Sequence, residues 1–146
     1  MKAALGNKGL EIDDARAVIA FEENSRRYEA RNPRRVRVLG YRVDGALLTG
    51  GTQKACDYLL GVPSQDRVVL IELKGQDLRR AARQIESTLQ RLSKALAGHQ
   101  VDGRVILSRV AIPNVRSSVV INVERFLAKT GGSFLYRTAV FVEAIS

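Results

Sequence analysis

The chain has 146 residues, 45% hydrophobic and 27% charged, enough to bury one substantial core at the commonest domain size. Its single cysteine, Cys56, excludes an internal disulfide, a thiolate zinc cluster and a redox pair, and no window approaches the roughly 20 apolar residues of a bilayer span. Its 24 Lys and Arg exceed its 15 Asp and Glu, giving a net charge of +9, and 18 of those bases are arginine, whose planar fork suits phosphate oxygens; a polyanionic partner is expected.

The start Met1–Lys8 is basic with no apolar stretch behind it, so the chain reads as one cytoplasmic domain over 1–146 with no membrane association. Val18 to Phe21 is apolar, and Glu22-Glu23-Asn24-Ser25 then interrupts it; this segment fits either a first helix or a strand and hairpin. A very basic stretch, Arg26 to Arg42, follows, with a turn at Asn32-Pro33 because proline pushes the preceding residue out of the helical region. From Val36 the alternation predicts a half-buried strand, closed by a hairpin turn at Asp44-Gly45 with a return strand beginning at Leu47-Leu48.

Thr49 to Lys54 is a small polar loop, and Ala55 to Val62 and Arg67 to Lys74 read as two more strands around Pro63–Asp66. In the first, Asp57 and Leu59 point one way and Cys56, Tyr58 and Leu60 the other. Asp77 is a fitting N-cap for a helix running to about Ala97 and ended by Gly98, with the stripe Leu78, Ala81, Ala82, Ile85, Leu89, Leu92 and Leu96 at helical period and with Gln84 and Thr88 on its shoulder. Arg104 to Ile112 predicts a strand ended by Pro113, Val119 to Thr130 a helix closed by Gly131-Gly132, and Phe134 to Ile145 a last strand. The fold class is α/β, a mixed central sheet flanked by helices.

The chemistry concentrates in Glu72-Leu73-Lys74. The apolar run Val68 to Ile71 predicts a central strand, and period-two alternation puts Glu72 and Lys74 on one face with Ile71 and Leu73 on the other. Charged groups on such a strand are expensive without a purpose. Phosphodiester hydrolysis needs a cation, an activated water and fixed geometry between them. Mg²⁺ is held at about 2.1 Å by one or two carboxylates plus water and phosphate. Asp57 and Glu72 are the candidate ligands, and Lys74 the candidate to orient or deprotonate the attacking water. His99 reads as a solvated loop residue; no nucleophile elbow, histidine-paired motif or P-loop is present.

Asp57, Glu72 and Lys74, within Lys54-Ala55-Cys56-Asp57-Tyr58-Leu59-Leu60 and Ile71-Glu72-Leu73-Lys74-Gly75, followed by Ala82-Arg83-Gln84-Ile85, resemble the PD-(D/E)XK nuclease superfamily, in its small, resolvase-like and uncharacterised branches. Cys56 stands where that family often has proline, and the likeness covers roughly residues 36 to 112. The resemblance implies a restriction-endonuclease-like core, Mg²⁺ or Mn²⁺ as cofactor and Gln84 as a polar residue offered to the catalytic site. It also implies an acid from a first helix beside the metal, for which Glu22 and Glu23 are candidates and Glu23 is favoured. DNA is favoured over RNA through the resemblance, and a homodimer would supply the two sites that duplex cleavage needs.

For nucleic-acid contact the candidates are Arg26, Arg27, Arg34, Arg35 and Arg37, then Arg79, Arg80 and Arg83 at the start of the helix, with Lys54 in the loop before Asp57. Two rival readings are a nucleic-acid-binding module without catalysis and an interaction subunit of a repair or defence assembly, whose arginines meet an acidic protein.

Overall fold

The structure is a computed structural model and describes residues 1–73, 77–108 and 117–146. Its centre is a mixed six-stranded sheet in the order β1-β4-β5-β6-β7-β8: β1 (Leu10–Asp14), β4 (Val38–Arg42), β5 (Tyr58–Val62), β6 (Arg67–Glu72), β7 (Gln100–Leu107) and β8 (Phe134–Thr138). The first four run antiparallel to their neighbours, and β6, β7 and β8 run parallel. Antiparallel neighbours need only a tight turn, which the 3₁₀ turn Pro63–Gln65 supplies between β5 and β6; the parallel step from β6 to β7 takes a helical crossover.

The helices lie on one face: α2 (Leu78–Arg91) and α4 (Ser118–Lys129), with the short α1 (Lys2–Leu5) and α3 (Ser93–Leu96) beside them. The stripe Leu78, Ala81, Ala82, Ile85 and Leu89 packs there against Leu39, Leu59, Val68, Leu70 and Val105. Among the described residues no helix lies on the other face. It is covered by a three-stranded sheet, β2-β3-β9, of β2 (Val18–Glu23), β3 (Arg26–Arg31) and β9 (Val140–Ala144), whose Ile19, Phe21, Tyr28 and Phe141 pack on Tyr58, Leu60, Val69 and Ile71. Among the described residues no helix is long and apolar enough to cross a membrane.

Of the two forms open to Val18–Glu23 the structure has the strand, joined to β3 by a two-residue turn in which Asn24 and Ser25 both have positive φ (49° and 62°), the turn form that matches strand twist. Other elements differ from those expected. The return strand at Leu47-Leu48 does not form: Gly45 N donates to Leu48 O and Leu48 N to Val43 O, closing a compact turn, and β5 is the strand that pairs with β4. The long helix stops at Leu92, where the backbone leaves helical geometry before α3 resumes; apolar spacing runs through the break because Leu89, Leu92 and Leu96 all stay buried. Phe134 to Ile145 is two strands in two sheets. Ala139, at φ 66°, turns the chain between them, donating to Leu107 O in one sheet and accepting from Arg27 N in the other. Gly132, ahead of β8, passes so close to β7 that a Cβ would collide with the Val101 carbonyl. The end of the strand expected over Arg104 to Ile112, and Pro113, lie outside the described residues beyond Ser108.

Candidate active site

β5 and β6 form the middle pair of the large sheet, and every residue from Tyr58 to Val62 and from Val68 to Leu73 is buried. Their register pairs Tyr58 with Ile71, so Asp57, just ahead of β5, and Glu72, the last residue of β6, lie at the adjoining ends of the two strands. Glu72 alternates with Leu70, which packs in the helix-side core. Asp57 is 6% exposed and Glu72 1%. Two carboxylates are therefore buried where β5 begins and β6 ends.

Backbone contacts fix this arrangement. Leu73 N–H donates to Asp57 Oδ2 at 2.8 Å, and the Leu73 carbonyl accepts from Arg26 Nη1 at 2.8 Å. Both peptide groups of the residue after Glu72 are thus held, one by an acid on the neighbouring strand and one by a base from the small sheet. Arg26, expected in a solvent-facing basic stretch, is 8% exposed and reaches inward to do this. Lys74 lies outside the described residues.

On the α2 side, Thr88 Oγ1 accepts from Cys56 N at 2.9 Å and donates to Gln84 O at 2.8 Å, tying the helix to the residue before Asp57. Thr88 is fully buried and Gln84 half-buried one turn away. Cys56 joins the helix-side core with Leu59 instead of opposing Asp57, because the chain is not yet in strand geometry there. Burial pushes its thiol far above the ordinary range, so it is a packed hydrophobe at neutral pH.

Glu23 lies at the end of β2 on the face of Ile19 and Phe21, 3.5 Å from Arg42 Nη2, while Phe21 stacks on Tyr58. Of the two forms open to this segment, the structure has the strand and hairpin. Among the described residues no three His, Cys, Asp or Glu side chains gather as a metal-holding group. Asp57 and Glu72 are hard oxygen donors of the kind that could hold a divalent cation together with water.

The basic candidates divide. Arg27 is held by Glu22 at 3.1 Å and Glu29 at 2.9 Å, and Arg37 by Asp13 at 2.7 Å; the Arg37 and Lys2 contacts hold the Asp13 carboxyl well below the usual carboxylate range. Arg34 and Arg35 are exposed on the turn before β4. Lys54 is exposed just ahead of Asp57, and Arg79, Arg80 and Arg83 are exposed on the first two turns of α2, whose start follows Glu72 after a short connection.

Sequence reasoning missed a buried charge cluster between the sheets. Asp102 accepts from Arg67 Nε at 2.8 Å and Ser133 N at 2.8 Å, and Glu143 accepts from Arg104 Nε at 3.0 Å and Tyr28 Oη at 2.7 Å. Burial would raise the Asp102 carboxyl, but Arg67, Ser133 and Arg104 outweigh it and leave it lowered. Burial, then the neighbouring Glu143 carboxylate, pushes the Tyr28 hydroxyl well up. The signal was present as polar residues at period two, Asp102 and Arg104, inside the apolar run Val101 to Leu107. Comparison with known proteins finds no matching family model, no matching curated protein and no matching solved structure.

Proposed function

We propose that the protein is a metal-dependent nuclease of PD-(D/E)XK type that hydrolyses phosphodiester bonds, DNA in preference to RNA. The observation that carries this reading is the burial of Asp57 and Glu72 at the adjoining ends of the middle strands of the sheet, with Leu73 clamped between Asp57 and Arg26. Carboxylates at that depth are costly without a purpose, and buried acids cluster at functional sites. The run of antiparallel strands β4, β5 and β6, followed by a helical crossover to parallel β7, supports the restriction-endonuclease-like core that the resemblance implies.

In this reading Asp57 and Glu72 hold Mg²⁺ or Mn²⁺, which when bound offsets charge on the scissile phosphate and acidifies water. Asp57 Oδ2 already receives the Leu73 N–H, which fixes the carboxylate's orientation. Lys74 assists the attacking water, Gln84 borders the site from α2, and a second copy of the chain supplies the second site for duplex cleavage. Cleavage of branched, nicked and single-stranded DNA and of RNA, with Mg²⁺, Mn²⁺ or chelator, tests this for wild type, Asp57→Asn and Lys74→Ala. Metal-dependent cutting lost in both variants is expected. Binding without cutting under every metal condition would replace the reading with a nucleic-acid-binding module.

A further inference from the structure

On the hairpin side of the molecule most bases are neutralised by their own neighbours, Arg16 by Asp14, Arg27 and Arg31 by Glu29, Arg37 and Lys2 by Asp13, Arg42 by Glu23, with Arg34 and Arg35 on the turn before β4 as exceptions. On α2 the pattern reverses. Arg79, Arg80 and Arg83 are exposed and make no ion pair among the described residues, and Lys54 is in the same condition. Asp77, the nearest acid, is spent as the helix cap, accepting from Arg79 N at 2.9 Å. Glu86 is the other acid on this helix; it lines the same recess as Arg83 without an ion pair to it.

The loop 49–54 is fixed alongside this ridge. Arg91, at the end of α2, donates to the Thr49 carbonyl at 2.8 Å and the Gly50 carbonyl at 3.1 Å, and Ala55 N donates to Asp44 Oδ1 at the loop's other end. Helix and loop become two walls of a shallow polar recess lined by Gln53, Arg83, Glu86, Ser87 and Gln90. Helical spacing puts Arg79, Arg83, Ser87 and Gln90 along one side of α2. At the end of this track Lys54 precedes Asp57 by three residues in the chain.

No aromatic ring lines the recess. Phe21, Tyr28, Tyr41, Tyr58, Phe134 and Phe141 are buried, and the exposed rings, Phe126 and Tyr136, belong to α4 and β8. Grooves that bind single strands add stacking aromatics to their positive charge. A basic surface without them reads phosphates alone.

We infer that the α2 ridge and the 49–54 loop form the docking surface for a nucleic-acid duplex, held by its phosphates and led to Asp57 and Glu72. The inference rests on the proposed function for what happens at the end of the track, but not for the binding itself. Arg79, Arg80, Arg83 and Lys54 supply the charge, Gln53, Ser87 and Gln90 supply neutral hydrogen bonds, and Arg91 positions the loop.

The test is fluorescence anisotropy of a labelled duplex in chelator between 50 and 200 mM salt, so that no cleavage intervenes. Arg79→Ala with Arg83→Ala is compared with the equally charged loss Arg125→Ala with Lys129→Ala on α4. The account expects tenfold or greater weakening and a slope of log affinity against log salt smaller by about 2 for the first pair. The α4 pair should stay within about twofold, and a single strand of equal length should bind more weakly than the duplex. Arg79→Gln with Arg83→Gln repeats the test with the helix propensity of the polar side chains kept. Wild-type affinity in either α2 pair, an α4 pair equally weakened, preference for the single strand, or displacement of the duplex by poly-glutamate would each overturn the inference. Loss of metal-dependent cleavage with this binding pattern intact would sink the catalytic reading alone.

Discussion

Between the two sheets, Asp102 and Glu143 are set against Arg67 and Arg104, so each buried carboxylate meets a charge of opposite sign within 3.0 Å. On the far face of the same large sheet, Asp57 and Glu72 are two buried acids at the adjoining ends of β5 and β6. Both arrangements are anchored by backbone N–H groups, Ser133 for Asp102 and Leu73 for Asp57. The first cluster pairs charges of opposite sign and joins β6 and β7 to the small sheet; the second lies at strand ends beside α2, where the proposed function puts a cation. Burial of polar groups alone therefore does not separate a structural role from a catalytic one.

The largest effect expected from breaking the comparison is on catalysis. Asp57→Asn keeps an acceptor for Leu73 N–H while removing charge, and Glu72→Gln does the same on the facing strand. Each should lower cleavage on the order of a thousandfold, about 4 kcal/mol at 1.36 kcal/mol per decade, with thermal unfolding little changed or raised. Arg104→Ala should do the reverse. It leaves Glu143 and part of Asp102's environment uncompensated and should destabilise by about 3–5 kcal/mol in urea unfolding, with cleavage per folded molecule unchanged.

Arg26→Ala falls between the two regions, since it joins the small sheet to the carbonyl after Glu72. A charged hydrogen bond of this kind is worth about 1.5–3 kcal/mol, and its loss should lower cleavage more than duplex binding, with Arg26→Lys restoring part of it. Equal effects on cutting and on binding would return Arg26 to the phosphate-contact role expected from its sequence position.

The smallest effect is one of pH. Because the Asp102 carboxyl is lowered in the folded protein, its stabilisation is fully present above its unfolded value and is lost as pH falls below about 3.8 towards the folded value. Stability against urea should therefore drop in that window, and the drop should shrink in Asp102→Asn. An unchanged acid limb in that variant would move the effect to another carboxylate.

The legible part of this fold was the part whose local signals and tertiary demands agree. Val68 to Ile71 is apolar on both faces because β6 is covered by helices on one side and a sheet on the other, and the stripe of α2 is continuous because one side of the helix is buried. The burial of Glu72 at the end of β6 follows from the same alternation. The split of the last strand was hidden because Ala139 carries no turn chemistry; its left-handed backbone is imposed by hydrogen bonds to both sheets. β1 was hidden because Leu10 and Ile12 are its only apolar residues and a register shift between them breaks the pattern. The segment Val18 to Glu23 stayed open between helix and strand because it is short and apolar, although Asn24-Ser25 is chemistry that favours a hairpin.

Asp57 and Glu72 are proposed to hold a divalent cation together, and Mn²⁺ binding read by electron paramagnetic resonance, with a non-hydrolysable duplex present, is the decisive test. Mn²⁺ should be bound by wild type and by Arg104→Lys, displaced by excess Mg²⁺, and lost in both Asp57→Asn and Glu72→Gln. Mn²⁺ bound equally well by both of those variants, or not bound by the wild-type complex, would contradict it.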